Sequence, residues 1–138
     1  MLKQIKSKFY SLIKSLGYNI TDNAEYVENF PWLMLRTNNY SFMDSFNAEM
    51  NYVSLTLDIF SKYTGEKEII EIIENIKEHI PEFIDNNPEI IYAYQKQLKI
   101  LDDKKTGPVR KHGVAVYDFI LGYGIEQEEQ NDSTGPEE

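Results

Sequence analysis

Residues 52–80 read YVSLTLDIFSKYTGEKEIIEIIENIKEHI, and the period of their apolar positions changes halfway along. Val53, Leu55, Leu57 and Ile59 alternate, which places them on one side of an extended strand. Thr64 and Gly65 then signal a turn. Beyond it Ile69, Ile72, Ile73, Ile76 and Ile80 recur at helical spacing and form one stripe. A strand running directly into a helix gives two layers that must cover each other. No residue in this unit has a catalytic look, so it reads as a structural building block.

Toward the N-terminus, residues 2–16 read as a first helix with the stripe Leu2, Ile5, Phe9, Leu12, Ile13 and Leu16. Gly17 is a plausible stop. The lysines of this helix lie mainly off the stripe. A basic amphipathic helix can rest on a membrane surface, but Lys stems more often cover the rim of a helix packed on its own domain. Residues 18–30 are polar and irregular, with room for one short extended piece. Pro31 opens a short strand, Trp32 to Arg36, with Leu33 and Leu35 on one side. Residues 37–51 follow no clean period, and Asn38 and Asn39 favour a turn. Tyr40, Phe42, Met43, Phe46 and Met50 make this long connection a candidate assembly contact, because leaving them in water is costly.

Toward the C-terminus, the strand at Tyr52–Ser61 is followed by a helix over about Glu66–Ile80, ended or interrupted by Pro81. A third strand spans about Ile90–Leu101, where Tyr92, Tyr94, Leu98 and Ile100 share a parity that Lys96 interrupts. Residues 102–112 form a polar hairpin connection with a Gly-Pro turn signal. Its Lys104, Lys105 and Arg110 are further candidate contact residues. The last strand is Gly113–Gly122, with Ala115, Tyr117, Phe119 and Leu121 facing one way. Residues 126–138 are acidic, with almost nothing to bury, and read as a flexible tail after a single domain at 1–125. The fold class expected is α+β: about four mainly antiparallel strands with both helices on one face. The other face must then be wet, covered by the long loop, or covered by neighbouring subunits.

The 138 residues suffice for one domain with a real core. Ten tyrosines suit partly buried surfaces and interfaces as well as strand positions. Without Cys there are no disulfides, thiolate nucleophiles or cysteine zinc sites. No apolar run is long enough to span a membrane. The net charge of −9 disfavours nucleic-acid capture, which needs a clustered positive face. That charge is uneven: residues 1–20 carry Lys3, Lys6, Lys8 and Lys14 and no acid, whereas residues 126–138 carry six acids and no base.

Chemistry finds few parts. His79 and His112 have no local nucleophile or orienting group, and each reads as structural or merely exposed. Asp58 and Asp118 lie in strands that could be neighbours, which would suit a metal-dependent nuclease only if they converged. A Lys or Arg partner across the sheet is the plainer role for Asp58. Gly65-Glu66-Lys67 lacks the rest of a phosphate-binding loop. No enzyme activity and no cofactor is expected.

Thr56-Leu57-Asp58-Ile59-Phe60-Ser61, the turn at Gly65, the Ile-rich helix, and Lys111-His112-Gly113 leading into alternating apolar residues resemble the tail completion, or tail terminator, proteins of long-tailed bacteriophages. The likeness covers about residues 1–125 in order and length. It does not extend to 126–138, and the 37–51 segment does not match in detail. It implies a non-enzymatic virion protein at the head–tail junction, assembled in the host cytoplasm. It also implies a homo-oligomer, a hexameric ring, that caps the tail tube. Its partners would be the major tail tube protein and the head connector or stopper protein. DNA would pass through the lumen without specific binding, helped by acidic groups facing it, and no membrane is involved. A head-closure or connector adaptor role, or a small acidic inhibitor that mimics DNA, are the alternatives.

Overall fold

The computed structural model describes residues 2–21, 29–45, 48–103 and 107–122, with positions 42–45 and 48–49 described by their backbone alone. The elements are α1 (Leu2–Ser15), β1 (Asn19–Thr21), β2 (Trp32–Ser45), β3 (Ala48–Ser61), α2 (Lys67–Asp85), β4 (Ile90–Asp102) and β5 (Lys111–Gly122). The class is α+β. The sheet has five strands in the order β1-β2-β3-β5-β4. Its β1 edge is parallel to β2, and the other pairs are antiparallel. The expectation of about four strands is corrected by the three-residue β1, too short to leave a periodic signal in the polar 18–30 segment.

One face of the sheet supplies the core. Leu33 and Leu35 of β2, Val53 to Ile59 at alternate positions of β3, and Ala115 to Leu121 at alternate positions of β5 are buried there. They join Ile5, Phe9 and Ile13 of α1 and the isoleucine stripe of α2 in one cluster. Phe9 sits at the centre. Its ring lies 5.1 Å from Tyr117, 5.3 Å from Phe119 and 5.6 Å from Phe83. Each such side chain contributes about 1.5–3 kcal/mol when taken from water, so this stripe dominates the stability of the domain. α1 lies over β1 and β2, and α2 over β3 and β4.

Three further expectations change. The 37–51 segment is not a connection but the ends of two long strands, with register running from Trp32↔Phe60 to Ser45↔Ala48. A register shift between Thr37 and Asn39 resets the side-chain alternation, which hides the strand from a period-two reading. α2 does not end at Pro81 but runs through it to Asp85. Pro81 is on the exposed side, while Ile80 and Phe83 on the core side hold the last turn down. In β4 the shared parity is broken by shifts between Ile90 and Tyr92 and between Gln95 and Gln97. Tyr92 and Tyr94 therefore pair with Ile120 and Asp118 on one face, whereas Leu98 and Ile100 pair with Ala115 and Gly113 on the core face.

Candidate assembly surface

The second face of the sheet has no described helix over it. Its side chains lie in rows set by the register: Trp32, Phe60, His112 and Leu101; then Met34, Asp58, Val114 and Lys99; then Arg36, Thr56, Val116 and Gln97. Asn39, Ser54, Asp118 and Tyr94 follow, then Ser41, Tyr52, Ile120 and Tyr92. Three rings stack across the first row. Trp32 lies 4.7 Å from Phe60, and Phe60 lies 4.5 Å from His112. Tyr92, Tyr94 and Leu101 on the β4 side are exposed large apolar groups.

Two buried carboxylates fix this face. Asp58 is 2% exposed, and its two oxygens accept from Arg36 Nε at 2.7 Å and His112 Nε2 at 2.8 Å. A carboxylate is an acceptor only, so His112 must carry its proton on Nε2 here. Burial alone would push the Asp58 carboxyl up. The hydrogen bonds from His112 and Arg36, together with their charges, outweigh burial and hold it below the usual carboxylate range. The bond to Asp58 in turn raises the Arg36 guanidinium. Asp118 is 1% exposed, and its Oδ2 accepts from Tyr52 at 2.8 Å and Tyr94 at 3.3 Å, with Lys96 Nζ at 3.8 Å. Desolvation and the neighbouring Asp118 both raise the Tyr52 phenol. Asp118 Oδ1 is buried without a hydrogen-bond partner among the described residues.

Asp58 and Asp118 sit on adjacent strands but not together. Asp58 is opposite Val114 and Asp118 is opposite Ser54. That offset is four residues, roughly 13 Å along the sheet. Each has its own partners, so the convergence that a shared metal needs does not form. His79 is far from both, and its Nδ1–H donates to Asn75 O on its own helix at 2.8 Å. Among the described residues no His, Asp and Glu group could hold a metal, and no helix is long and apolar enough to cross a membrane.

The sequence-derived contact residues fall in two places. Tyr40 is exposed on β2, and its hydroxyl donates to Asn51 Oδ1 at 3.2 Å. Phe42 and Met43 take register positions opposite Asn51 and Met50, so they lie in the last part of the β2–β3 ladder. Met50 is half-buried opposite Gly122, where β5 ends, and the hairpin continues past it. Phe46, Lys104 and Lys105 lie outside the described residues. Arg110 is exposed, bonded through Nη1 to Gly107 O at 3.2 Å. The Trp32–Phe60–His112 stack was not foreseen. Its signal was present as the non-core parity of each strand, which reads as solvent-facing until the strand order is known.

No family model matches this chain, and no curated protein matches it at a significant level.

Proposed function

We propose that this chain is a structural subunit of a phage virion that closes into a ring on the tail tube and joins it to the head connector. One observation carries the reading: a whole sheet face without a described helix over it bears stacked aromatic rings, half-buried Met34, Val114, Val116 and Ile120, and internally neutralised charges. Such a face is rigid and partly apolar, as an assembly surface needs to be. The β2–β3 hairpin, with Tyr40, Phe42, Met43 and Met50, supplies a contact at one end of the sheet. Arg110 supplies another at the opposite end of β5, and Phe46, Lys104 and Lys105 join the proposed contacts on the sequence alone. A six-membered ring, the tube and connector partners, and free passage of DNA through the lumen belong to the same proposal, which rests on the sequence resemblance.

The test is capping. Purified protein is mixed with tail tubes that lack a terminator, and the tube ends are imaged by electron microscopy. Rings at one end and an arrest of tube growth are expected. Tubes that lengthen unchecked, with bare ends at saturating protein, would remove the proposal.

A further inference from the structure

The two helices carry opposite charge. α1 has four lysines and no acid, and α2 has six acids and two lysines. Lys8 pairs with Glu89, but Lys3, Lys6 and Lys14 have no ion partner among the described residues. On α2 only Glu71 has an ion partner, Lys67 at 3.9 Å, while Glu74, Glu78 and Glu82 have none among the described residues. Glu74, Glu78 and Glu82 follow one another at i, i+4, a spacing at which like charges destabilise a helix. Among the described residues no ion pair to Glu74, Glu78 or Glu82 offsets that repulsion.

The positions of the two surfaces are complementary as well. The flank of α1 that faces α2 is the serine side, where Ser7, Ser11 and Ser15 line a groove shared with His79 and Glu82. The lysine flank is turned away from α2, toward β1, where Tyr10 donates to Ile20 O at 2.9 Å. α2 lies over β3 and β4, toward the other edge of the sheet. Glu82 faces that groove, whereas Glu74 and Glu78 are exposed and do not line it, so the basic flank of α1 and the Glu74–Glu78 surface of α2 are two separate patches, as a head-to-tail contact requires. Each also presents an i±4 ridge: Leu2, Lys6, Tyr10 and Lys14 on α1, and Ile70, Glu74, Glu78 and Glu82 on α2. Both ridges span about 18 Å. Each begins with an apolar residue, Leu2 half-buried and Ile70 41% exposed. Ridges of this kind interdigitate in the commonest class of helix packing.

We infer that the lysine ridge of α1 in one copy docks on the acidic ridge of α2 in the next copy, so that identical subunits join head to tail. This deepens the ring reading above by assigning the contact between its subunits. Lys6 and Lys14 lie along Glu74 and Glu78, with Tyr10 and the lysine stems covering Ile70.

Charge reversal tests it without any tail component. Lys6→Glu/Lys14→Glu makes both helices acidic, and Glu74→Lys/Glu78→Lys makes both ridges basic. Each variant alone should self-associate roughly tenfold or more weakly than the unmodified protein in sedimentation at low ionic strength. Circular dichroism should stay unchanged and the melting temperature should shift by no more than a few degrees, because Lys14, Glu74 and Glu78 are exposed and Lys6 is half-buried. Mixing the two variants should restore association, since each then meets a partner of opposite charge, and misfolding could not produce that rescue. Complexes larger than a dimer are expected, dissolving toward about 1 M salt, where the screening length is about 3 Å. The inference is overturned if the unmodified protein stays monomeric at every concentration, if the variants associate normally, if mixing fails to rescue, or if association stops at a dimer. It is also overturned if the Lys6→Glu/Lys14→Glu defect disappears on removing residues 126–138, because the basic flank would then be receiving that acidic segment. Charge variants that still cap tubes would remove this contact and leave the ring reading standing. Charge-dependent self-association without tube capping would do the reverse.

Discussion

Asp58 shows what a single buried side chain does on a face without a helical cover. Its two oxygens are held by Arg36 and His112, and those bonds more than offset its desolvation. A carboxyl held below its ordinary value contributes stability at higher pH and loses it as pH falls through the lowered value. Asp58→Asn should therefore cost about 1–3 kcal/mol near neutrality, a range kept modest because Arg36 is half-exposed and can be solvated. The gap in melting temperature between the two proteins should narrow as pH drops below about 4. A gap that is constant or widens in acid would contradict the assignment. Tyr117 poses the opposite case. Its hydroxyl is buried beside Phe9 with no partner among the described residues, and burial pushes the phenol far up. Tyr117→Phe removes an unsatisfied donor and keeps the ring, so it should raise stability by about 1 kcal/mol in urea unfolding. Neither feature was fully legible in the sequence. A cationic partner for Asp58 could be anticipated from its parity, but Arg36 and His112 reach it only through two different neighbouring strands. Tyr117 could be placed on the core face, but not its hydroxyl among apolar groups.

At the scale of elements, the approach of α2 to the sheet is set at one glycine. A Cβ on Gly113 would stand 2.6 Å from Ile69 Cγ2, on the first turn of α2, with Ile59 Cβ at 3.6 Å behind it. The methyl of Ile69 is anchored at its branch point and cannot swing aside, so α2 would have to lift. Gly113→Ala should cost about 1–3 kcal/mol, with a loss of several degrees in melting temperature. Gly122 offers the control. A Cβ there meets the far end of Ile91 at 2.6 Å, a flexible and exposed side chain that can turn away. Gly122→Ala should be nearly neutral, and equal losses at the two sites would refute this account. The strand-to-helix unit at 52–80 was readable because its period is uninterrupted, as were α1 and β5. β4 and the distal part of β2 were not, for one shared reason. A bulge flips the parity of every side chain beyond it, so Leu98 and Ile100 serve the core while Tyr92 and Tyr94, of the same sequence parity, do not. The same two bulges disrupt the free edge of β4, with Lys96 and Lys99 exposed along it, which guards it against pairing with stray strands.

For the whole molecule, the balance is between apolar burial within the subunit and a net charge that keeps copies apart. Leu121, next to the end of β5, belongs to the apolar cluster. Residues 126–138 contain no residue of the Val, Ile, Leu, Met, Phe, Trp or Tyr types, yet they hold six of the acids, so the remaining chain would carry −9 + 6 = −3. Removing them should leave the melting temperature within about 1 °C, since no apolar burial is lost. Self-repulsion between subunits should fall at the same time, because net charge keeps like molecules apart at low ionic strength. The truncated protein should therefore assemble at lower concentration than the full chain in dilute salt. The two should converge as salt screens the difference over distances beyond about 10 Å. Sedimentation of both proteins across a salt series measures this directly. Convergence separates bulk repulsion from the local pairing of α1 with α2, because repulsion by the tail raises the assembly threshold whichever surface makes the contact. A truncated chain that melts many degrees lower would place those residues in the folded core. One that assembles less readily would make them part of the contact itself.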